Sequence, residues 1–283
     1  MVRRLLFIFT AALLALPAAA VIEDVSGFTE EPSRFSFRGN VETTLSSGYL
    51  ATSGLICDTR PVLSHCANLC FDCGDWGFVD GYACTISSLH NLQREDHRAL
   101  FNEFEGCIRY GYDIKLAEGV MLDTKAGPLL NPPIGYYHSH QNYWGPYIAQ
   151  FLQNPYVVPY WNGLWMVAPK QRGRVRMGLR KTISVVPDFS VTPSVETVWM
   201  DRRRFTARYG SEPEENRFLG GAFATMTCAV QASYRISSEW TVYAAYQQFD
   251  IFNPQARRAV KRSDDYWAKC DWPIFRIGAR YSF

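Results

Sequence analysis

The chain has 283 residues, of which 15% are aromatic and 20% are charged, with 29 Lys and Arg against 27 Asp and Glu. A nearly neutral chain whose charges are interspersed gives no support for nucleic-acid binding. After residue 20, no apolar run reaches the roughly 18 residues that a transmembrane helix requires. The sequence therefore predicts no spanning helix.

The N-terminus has the three parts of a secretory signal peptide. Met1-Val2-Arg3-Arg4 is a short basic start, Leu5 to Leu16 is apolar, and Pro17-Ala18-Ala19-Ala20 offers small residues for cleavage. We expect residues 1–20 to be removed on export, which leaves 27 basic and 27 acidic residues. Export without a spanning helix leaves a secreted or periplasmic β-protein, or an outer-membrane barrel.

The remaining chain shows no change in composition that would mark a second domain. Residues 21–39 are acidic and are interpreted as a flexible N-terminal lead, and residues 40–283 are interpreted as the barrel domain. Within that domain, segments of strand character follow one another. We place twelve of them near 40–56, 61–72, 77–88, 102–116, 119–130, 146–153, 156–168, 174–186, 189–200, 217–235, 240–252 and 270–283.

The lengths of the connections alternate along the chain. Gaps after the even-numbered strands are short and have turn chemistry, as in Pro187-Asp188, while most gaps after odd-numbered strands are long and polar. Short gaps near residues 58–60 and 169–173 break this alternation. Short turns on one side and long loops on the other are typical of outer-membrane barrels. The predicted fold class is all-β: an antiparallel up-and-down transmembrane β-barrel of about 12 strands, preceded by a signal peptide.

The last strand has the clearest two-residue period. One face carries Phe275, Ile277, Ala279, Tyr281 and Phe283, and the other carries Arg276, Gly278, Arg280 and Ser282. An apolar face against lipid and a polar face against a wet lumen fit a transmembrane strand. Tyr281 and Phe283 also match the aromatic ending that the outer-membrane assembly machinery is thought to read, and we interpret them as an assembly signal.

The same alternation predicts which charged residues face the lumen. The predicted lining residues are Arg109, Lys115, Arg174, Arg176, Arg180, Arg235, Arg276, Arg280, Glu42, Asp113 and Glu196. This set is biased towards positive charge. The arginines either brace the wall through ion pairs with lumen acids, or give the pore a preference for anions.

Two kinds of residue complicate the predicted register. Lys181 falls on the lipid-facing phase, so we expect a bulge or a position near a membrane interface there. Pro159 and Pro193 each remove a ladder donor. Aromatic girdles are expected at the strand ends, around Tyr136, Tyr137, Tyr143, Trp144 and Tyr147, then Tyr156, Tyr160, Trp161 and Trp165, and finally Trp240, Tyr243 and Tyr246.

The opening strand carries a family resemblance. The run Val41-Glu42-Thr43-Thr44-Leu45-Ser46-Ser47-Gly48-Tyr49-Leu50-Ala51-Thr52-Ser53-Gly54, followed by Arg60-Pro61-Val62, resembles the first hairpin of TorF-type porins. The resemblance implies a small outer-membrane channel or wall protein and brings no catalytic residues. The strand count is also similar to that of the narrow arginine-lined porins for acidic sugars, which is an analogy of architecture only.

Eight cysteines distinguish the chain from both groups: Cys57, Cys66, Cys70, Cys73, Cys84, Cys107, Cys228 and Cys270. Free inert thiols, disulfides among residues 57–84, and a metal site are all open at this point, although the spacing matches no common zinc pattern. His138-Ser139-His140 is the only grouping that suggests hydrolysis, but alternation would point Ser139 away from both histidines. We therefore expect no catalytic residues, no metal and no cofactor.

The sequence thus predicts a narrow passive channel for small solutes in the bacterial outer membrane, with anions preferred. The expected partners are outer-membrane lipid, the outer-membrane assembly machinery and small solutes, with no nucleic acid. One alternative is a closed structural or adhesive barrel that binds partners through the loops Asp201–Asn216 and Asn253–Lys269. An outer-membrane lipid hydrolase is a further alternative.

Overall fold

The computed structural model describes residues 35–51, 55–89, 103–131, 143–167, 171–210, 220–262 and 269–283. The predicted signal peptide and most of the N-terminal lead lie outside these ranges. The described strands are β1 (Ser36–Ser46), β2 (Tyr49–Ala51), β3 (Leu55–Asp58), β4 (Val62–Asp72), β5 (Phe78–Ser88), β6 (Glu103–Ala117), β7 (Val120–Asn131), β8 (Tyr143–Gln153), β9 (Val158–Met166), β10 (Arg172–Arg180), β11 (Ile183–Val186), β12 (Phe189–Asp201), β13 (Gly221–Arg235), β14 (Trp240–Asp250) and β15 (Asp271–Ser282). Two α-helices, α1 (Arg202–Tyr209) and α2 (Pro254–Lys261), and a 3₁₀ turn at Gly74–Trp76 complete the described elements.

The strands close into a single antiparallel barrel. Each wall strand pairs with its neighbours in chain order, and β1 pairs with β15 to complete the ring. Strands β10 and β11 are two parts of one wall strand, since both pair with β12. The short β2–β3 hairpin stands apart from this sheet. The wall therefore has twelve strands, and the predicted barrel is confirmed.

The connections sort to the two ends of the barrel. Short turns at residues 73–77, 118–119, 154–157, 187–188 and 236–239 lie at the end where β1 begins and β15 ends, and we call this end the inner rim. In the turn between β6 and β7, Gly119 takes a φ of 68°, a conformation that glycine adopts without steric cost. Longer connections lie at the opposite end, the outer rim. Barrels of this kind have short periplasmic turns, so the inner rim faces the periplasm.

The first connection differs from the prediction. Residues 40–56 were predicted as one strand, but β1 ends at Ser46 and the chain then forms the β2–β3 hairpin at the outer rim. Thus the short gap predicted near residues 58–60 is wrong, and only the connection at residues 167–171 departs from the alternation. The first strand also starts at Ser36, so residues 36–39 belong to the wall rather than to the flexible lead.

The exterior of the wall is apolar. On β15, Phe275 and Ile277 are 59% and 58% exposed, and Val41 and Leu45 on β1 are also exposed. Exposing such apolar side chains to water costs free energy, whereas contact with the hydrocarbon of a membrane does not. A closed barrel with this exterior is a transmembrane β-barrel of the bacterial outer membrane. Among the described residues, no helix is long and apolar enough to cross a membrane.

Aromatic side chains surround the inner rim. Phe37 packs beside Phe283 with ring centroids 6.1 Å apart, and Trp240 lies 5.1 Å from Tyr281. Three rings of the predicted girdles instead share the lumen phase: Tyr147, Tyr160 and Tyr243. The Tyr160 and Tyr243 hydroxyls donate to carboxylates and the Arg109 guanidinium lies over the Tyr147 ring, so these rings serve the polar lumen, which aromatic content alone does not reveal. Tyr136 and Tyr137 lie outside the described residues, as does the side chain of Tyr143.

The wall ladder is interrupted at Lys181 and Thr182, between β10 and β11. Arg180 pairs with Ser194 and Ile183 with Val191, so the register passes through the gap unchanged. A bulge at Lys181 is therefore not observed. The residue lies near the inner rim, where it is only 6% exposed and lines a cavity instead of facing lipid, and the irregularity in register comes later, between Ser184 and Val186. Lys181 lies opposite Pro193, which has no N–H to donate, and this missing donor accounts for the gap.

Candidate functional site: the barrel lumen

Alternation along the wall places the eleven predicted lining residues on the phase opposite the exposed apolar rows. On β6, for example, Ile108, Tyr110 and Tyr112 are exposed, while Arg109 lies on the other phase. Strand pairing sets Glu42 directly opposite Arg280 and Asp113 directly opposite Asp123. Several of the eleven residues form ion pairs, whereas Lys115 and Arg180 have no acidic partner among the residues that the structure describes.

One ion pair lies across the seam between the first and last strands. Arg280 donates from Nε and Nη2 to one carboxylate oxygen of Glu42 at 2.8 and 2.6 Å. The other oxygen accepts a hydrogen bond from the Tyr243 hydroxyl at 2.7 Å, and Thr44 contacts that hydroxyl at 2.5 Å. Charge-assisted bonds of this kind are the strong ones, so the group ties together β1, β14 and β15.

A second group surrounds Asp80 on β5. Arg109 donates to both carboxylate oxygens of Asp80, at 2.6 and 2.8 Å, and the Lys125 ammonium lies 3.3 Å from the same carboxylate. Lys125 is also 3.6 Å from Asp123. Asp80, Asp123 and Lys125 were missed at the sequence level. Alternation does place Phe78, Asp80 and Tyr82 on one face of β5. Because that face mixes an acidic residue with aromatic ones, it could not be recognised as the polar side of the strand from the sequence.

A third group joins β9, β10 and β12. The Nε atom of Arg176 lies 3.5 Å from Glu196, and the Tyr160 hydroxyl donates to Glu196 at 3.0 Å. Arg174, two residues towards the outer rim, is only 3% exposed. Arg276 is half-buried and forms no hydrogen bond or ion pair with the residues that the structure describes. These three ion-paired groups brace the lumen wall, and we call them the belt; Arg280, at its inner edge, also lines the cavity described next.

A wide cavity opens on the inner side of this belt. It has a volume of about 1270 Å³, and we call it the inner vestibule. Its lining includes five basic residues, Lys115, Arg180, Lys181, Arg235 and Arg280, but Asp188 as the only acid. Asp188 forms an ion pair with Arg235, with 3.2 Å between its Oδ1 atom and the Nε atom of the arginine. Over the described chain, Lys115, Arg180 and Lys181 have no acidic partner, although the Arg180 guanidinium lies over the Phe151 ring at 5.2 Å.

The outer half of the lumen is packed, with apolar side chains beneath the two helices and with the buried charged residues Glu103, Glu105 and Arg174 on β6 and β10. Its largest cluster, the outer plug, consists of Leu50, Val198, Met200, Phe205, Tyr209, Ala222, Ala224, Phe249, Ile251, Ala256 and Ile274, each at most 9% exposed. Two smaller apolar clusters lie around Val62 and around Leu129. The described residues therefore fill this end of the barrel with side chains, where the inner end holds a cavity.

Local hydrogen bonds hold both helices over the outer plug. The Asp201 carboxylate accepts from the Arg204 N–H at 2.6 Å and also from the Gly173 N–H, which caps α1 and ties it to β10. Asn253 caps α2 by accepting from the N–H of Gln255 at 3.0 Å. Arg257 then bridges Asp250 and Asp271, each at 2.8 Å. Burial raises the pKa of Tyr209 in α1 to about 12.

Two cysteines form a disulfide inside the barrel. Cys66 and Cys84 lie directly opposite each other on β4 and β5 and are bonded. A disulfide among residues 57–84, one of the alternatives left open by the sequence, is therefore present. Cys70, Cys73, Cys107, Cys228 and Cys270 are free thiols. Within the described residues, no three His, Cys, Asp or Glu side chains converge as a metal site would require. His138, Ser139 and His140 lie outside the described residues.

Comparisons with known proteins add three similarities of structure. The KdgM porin matches with 9% sequence identity and a TM-score of 0.46, covering 87% of this chain and 99% of that one. The NanC porin matches with 12% identity and a TM-score of 0.48 over 86% and 98%. The COG4313 outer membrane channel from Pseudomonas putida F1 gives 11% and 0.48 over 92% and 99%.

No protein-family model matches the chain, and no curated protein does. At such identities, and with TM-scores below 0.5, these similarities assign neither a solute nor an activity. The function has to be argued from the residues of this chain.

Proposed function

We propose that the protein is a narrow outer-membrane channel for small solutes that prefers anions. The observation that carries the proposal is the inner vestibule, a cavity of about 1270 Å³ whose lining has five basic residues and one acid. A polar, charged cavity inside a transmembrane barrel has no role in lipid, but it offers a path for hydrated solutes. Guanidinium and ammonium groups without acidic partners attract anions into that path.

The two interpretations of the lumen arginines apply to different residues. Arg109, Arg176 and Arg280 each lie beside a carboxylate, which neutralises most of their field and braces the wall. Lys115 and Arg180 lie in the vestibule without an acidic partner in the described chain, so their charges act on solutes. Selectivity is therefore assigned to the vestibule, and rigidity to the belt.

The outer plug sets the state of this channel. Because apolar side chains and two helices fill the outer half of the lumen, passage requires α1, α2 or the β2–β3 hairpin to move. We propose that these elements act as a lid and that the barrel wall stays fixed. Phe283 and Tyr281, exposed at the inner rim, suit the proposed contact with the assembly machinery. The finer assignment to TorF-type porins is likewise a proposal, supported by the residues of the opening strand.

Planar-bilayer recordings on the mature chain test the channel. We expect discrete conductance steps and, in a salt gradient, a reversal potential of the sign for anions. Replacing Lys115→Gln and Arg180→Gln together should reduce the anion preference severalfold, whereas Lys261→Gln with Arg262→Gln, at the C-terminal end of α2 and the outer rim, should change it little. Folded protein that never conducts would reject the channel, and cation preference in the wild type would reject the role of the vestibule.

The outer plug also favours a second candidate, a closed barrel with a structural or adhesive role. In that case α1 and α2 would be a partner-binding surface rather than a lid. Liposomes containing the folded protein would then bind a partner yet remain sealed to small anions, even when the lid has been destabilised. The hydrolase alternative depends on residues outside the described chain and gains no support from the lumen.

A further inference from the structure

Two wall strands carry the same five-residue pattern on the lumen face. Residues 176–180 on β10 are Arg-Met-Gly-Leu-Arg, and residues 276–280 on β15 are Arg-Ile-Gly-Ala-Arg. Because side chains alternate along a strand, the glycine and both arginines of each copy lie on the face towards the lumen. Each copy therefore presents two guanidinium groups with a gap between them.

A tyrosine ring from the preceding wall strand fills each gap. Tyr160 lies directly opposite Gly178, and Tyr243 lies directly opposite Gly278. A Cβ atom on these glycines would lie 2.7 and 2.6 Å from the respective tyrosine hydroxyl oxygens, so any larger residue would displace the rings. Each hydroxyl also donates to a glutamate, at 3.0 and 2.7 Å. The two rings are thus held in place between the arginines of their copy.

The two copies differ in which arginine is paired. On β15, Arg280 binds Glu42, whereas Arg276 forms no hydrogen bond or ion pair with any residue that the structure describes. On β10 the order is reversed, since Arg176 lies 3.5 Å from a carboxylate and Arg180 lines the inner vestibule. Arg180 already belongs to the proposed anion path. The other guanidinium, that of Arg276, neither braces the wall nor lines the vestibule.

Arg276 lies between the vestibule and the outer plug. On the same face of β15, Ile274 belongs to the plug and is completely buried, while Arg280 lines the vestibule. With a rise of about 3.3 Å per residue, Arg276 is about 7 Å from Ile274 and about 13 Å from Arg280 along the strand. Its side chain is half-buried, so water reaches part of it. A solute that leaves the vestibule towards the plug therefore passes Tyr243 and meets Arg276.

The surroundings of Arg276 leave its charge uncompensated. Arg176 repels it and Glu196 attracts it, and these two residues lie beside each other as an ion pair, so their effects oppose one another. Tyr49 and Tyr243 also act on Arg276, but both hydroxyls donate to glutamates and carry no charge that would neutralise it. A partly desolvated cation of this kind raises the free energy of the folded state, and a bound anion lowers it.

We propose that Arg276 binds a single carboxylate between the vestibule and the outer plug. The inference rests on the proposed anion channel and names its class of solute, small organic acids with one negative charge. A guanidinium group offers two parallel N–H donors that match the two oxygens of a carboxylate, and a spherical halide ion cannot use both in this way. One uncompensated positive charge suits a monoanion, because the second charge of a phosphate dianion would be repelled by Glu196.

Stabilisation by acetate tests the site without any measurement of conductance. A ligand that binds only the folded state raises the free energy of unfolding. The full mature chain in micelles is unfolded with urea in sodium acetate, sodium chloride or sodium phosphate at equal ionic strength. We expect acetate to reach half of its effect at a roughly tenfold lower concentration than chloride, and phosphate to stabilise less than acetate. Equal effects of acetate and chloride would overturn the proposal, and a larger effect of phosphate would overturn the assignment to a monoanion.

Substitutions at Arg276 locate the site. Arg276→Gln should abolish the advantage of acetate over chloride, without loss of stability in low salt, because it removes an uncompensated charge. Arg276→Lys retains the charge but not the two parallel donors, so the roughly tenfold advantage should also disappear there. Arg262→Lys, the same exchange at the outer rim, is the control and should behave as the wild type.

Each of these variants has an outcome that contradicts the site. An advantage of acetate that survives in Arg276→Gln would overturn the proposal, and a large loss of stability in that variant would assign Arg276 a structural role instead. If Arg276→Gln does not fold, Arg276→Lys decides alone, and wild-type behaviour of Arg276→Lys would overturn the carboxylate geometry.

Conductance separates a failure of this inference from a failure of the channel. If the wild type conducts chloride, acetate should reduce the chloride current, and Arg276→Lys should remove that reduction. Lys115→Gln with Arg180→Gln should keep the advantage of acetate in urea, and its loss there would place the site in the vestibule and overturn the proposal. If no variant conducts, the channel fails as a function, while urea unfolding still decides whether Arg276 binds a carboxylate.

Discussion

Along the strands that carry the outer plug, the two halves of the lumen have opposite chemistry. On β15 alone, Ile274 is completely buried in the outer plug, whereas Arg280, six residues further along the same face, lies at the inner vestibule. The two-residue period decides which side chains point inwards in both halves. What differs is the level along the barrel axis, and that level separates packed apolar residues from water-accessible cations. Which side chains line the lumen at a given point therefore depends both on the face of the strand that carries them and on their height along the barrel axis.

The largest expected effect comes from breaking the outer plug. Phe205 on α1 is fully buried, and replacing such a residue with alanine costs about 3–5 kcal/mol. Because the wall ladder does not depend on this side chain, we expect Phe205→Ala to free the lid and increase bilayer conductance while the barrel stays folded. Ala207→Ser, at an exposed position of the same helix, is the matched control. An unchanged conductance from folded Phe205→Ala would show that α1 is not a gate.

The disulfide should give the next largest effect. Cys66 and Cys84 are separated by 18 residues, and a loop of that size gives a stabilisation of about 3 kcal/mol. Cys66→Ala with Cys84→Ala should lower the free energy of unfolding in urea by about that amount and leave ion selectivity unchanged. The free, outward-facing Cys228→Ala serves as the control. A shift in selectivity would mean that the disulfide shapes the belt as well as stabilising it.

The seam ion pair should contribute less to stability. Arg280→Met leaves Glu42 with the Tyr243 and Thr44 hydroxyls alone, which costs about 1.5–3 kcal/mol for a charged hydrogen-bonded group. The double variant Glu42→Gln with Arg280→Met should recover part of the loss, since no uncompensated charge remains. A double-mutant cycle from urea unfolding measures the coupling. Strict additivity of the two single variants would contradict a direct interaction.

The smallest effect at neutral pH is expected at Tyr209. Its hydroxyl is buried without a hydrogen-bond partner in the described chain, and burial raises its pKa from 10.0 to about 12. The folded lid thus retains the proton that the unfolded lid loses above pH 10. Lid stability is complete below pH 10 and falls as the pH rises from 10 to about 12.

Conductance against pH would record the loosening of the lid, and Tyr209→Phe should remove this transition with little change at pH 7. If the transition persists in Tyr209→Phe, another group is responsible for it.

The wall could be predicted from the sequence because its signal is local. The strand predicted at 189–200 is β12, Phe189–Asp201, and the one predicted at 77–88 is β5, Phe78–Ser88. The alternation in such segments follows directly from one face in lipid. The β2–β3 hairpin was missed because Tyr49, Leu50 and Ala51 continue the strand-like composition of β1, although the turn dipeptides Ser47-Gly48 and Ser53-Gly54 lie on either side of them.

The plug and the vestibule could not be predicted in the same way. Both helices fall in segments treated as loops, although Asp201 and Asn253 are good N-caps and Pro254 occupies the first turn of α2. The height of each residue along the barrel axis depends on how far neighbouring strands are shifted against each other. That shift cannot be derived from a single amino-acid sequence. Asp80 could be matched with Arg109 only once β5 and β6 had a register.

The pairing of β1 with β15 has a consequence for biogenesis. Gly39 and Phe283 exchange two backbone hydrogen bonds of 2.9 Å, so the final residue of the chain completes the ring. Until it arrives, two long strand edges remain unpaired and open to aggregation. The ring therefore joins the most distant parts of the chain last, a topology that folds slowly, and removal of β15 should leave an open sheet in need of escort across the periplasm.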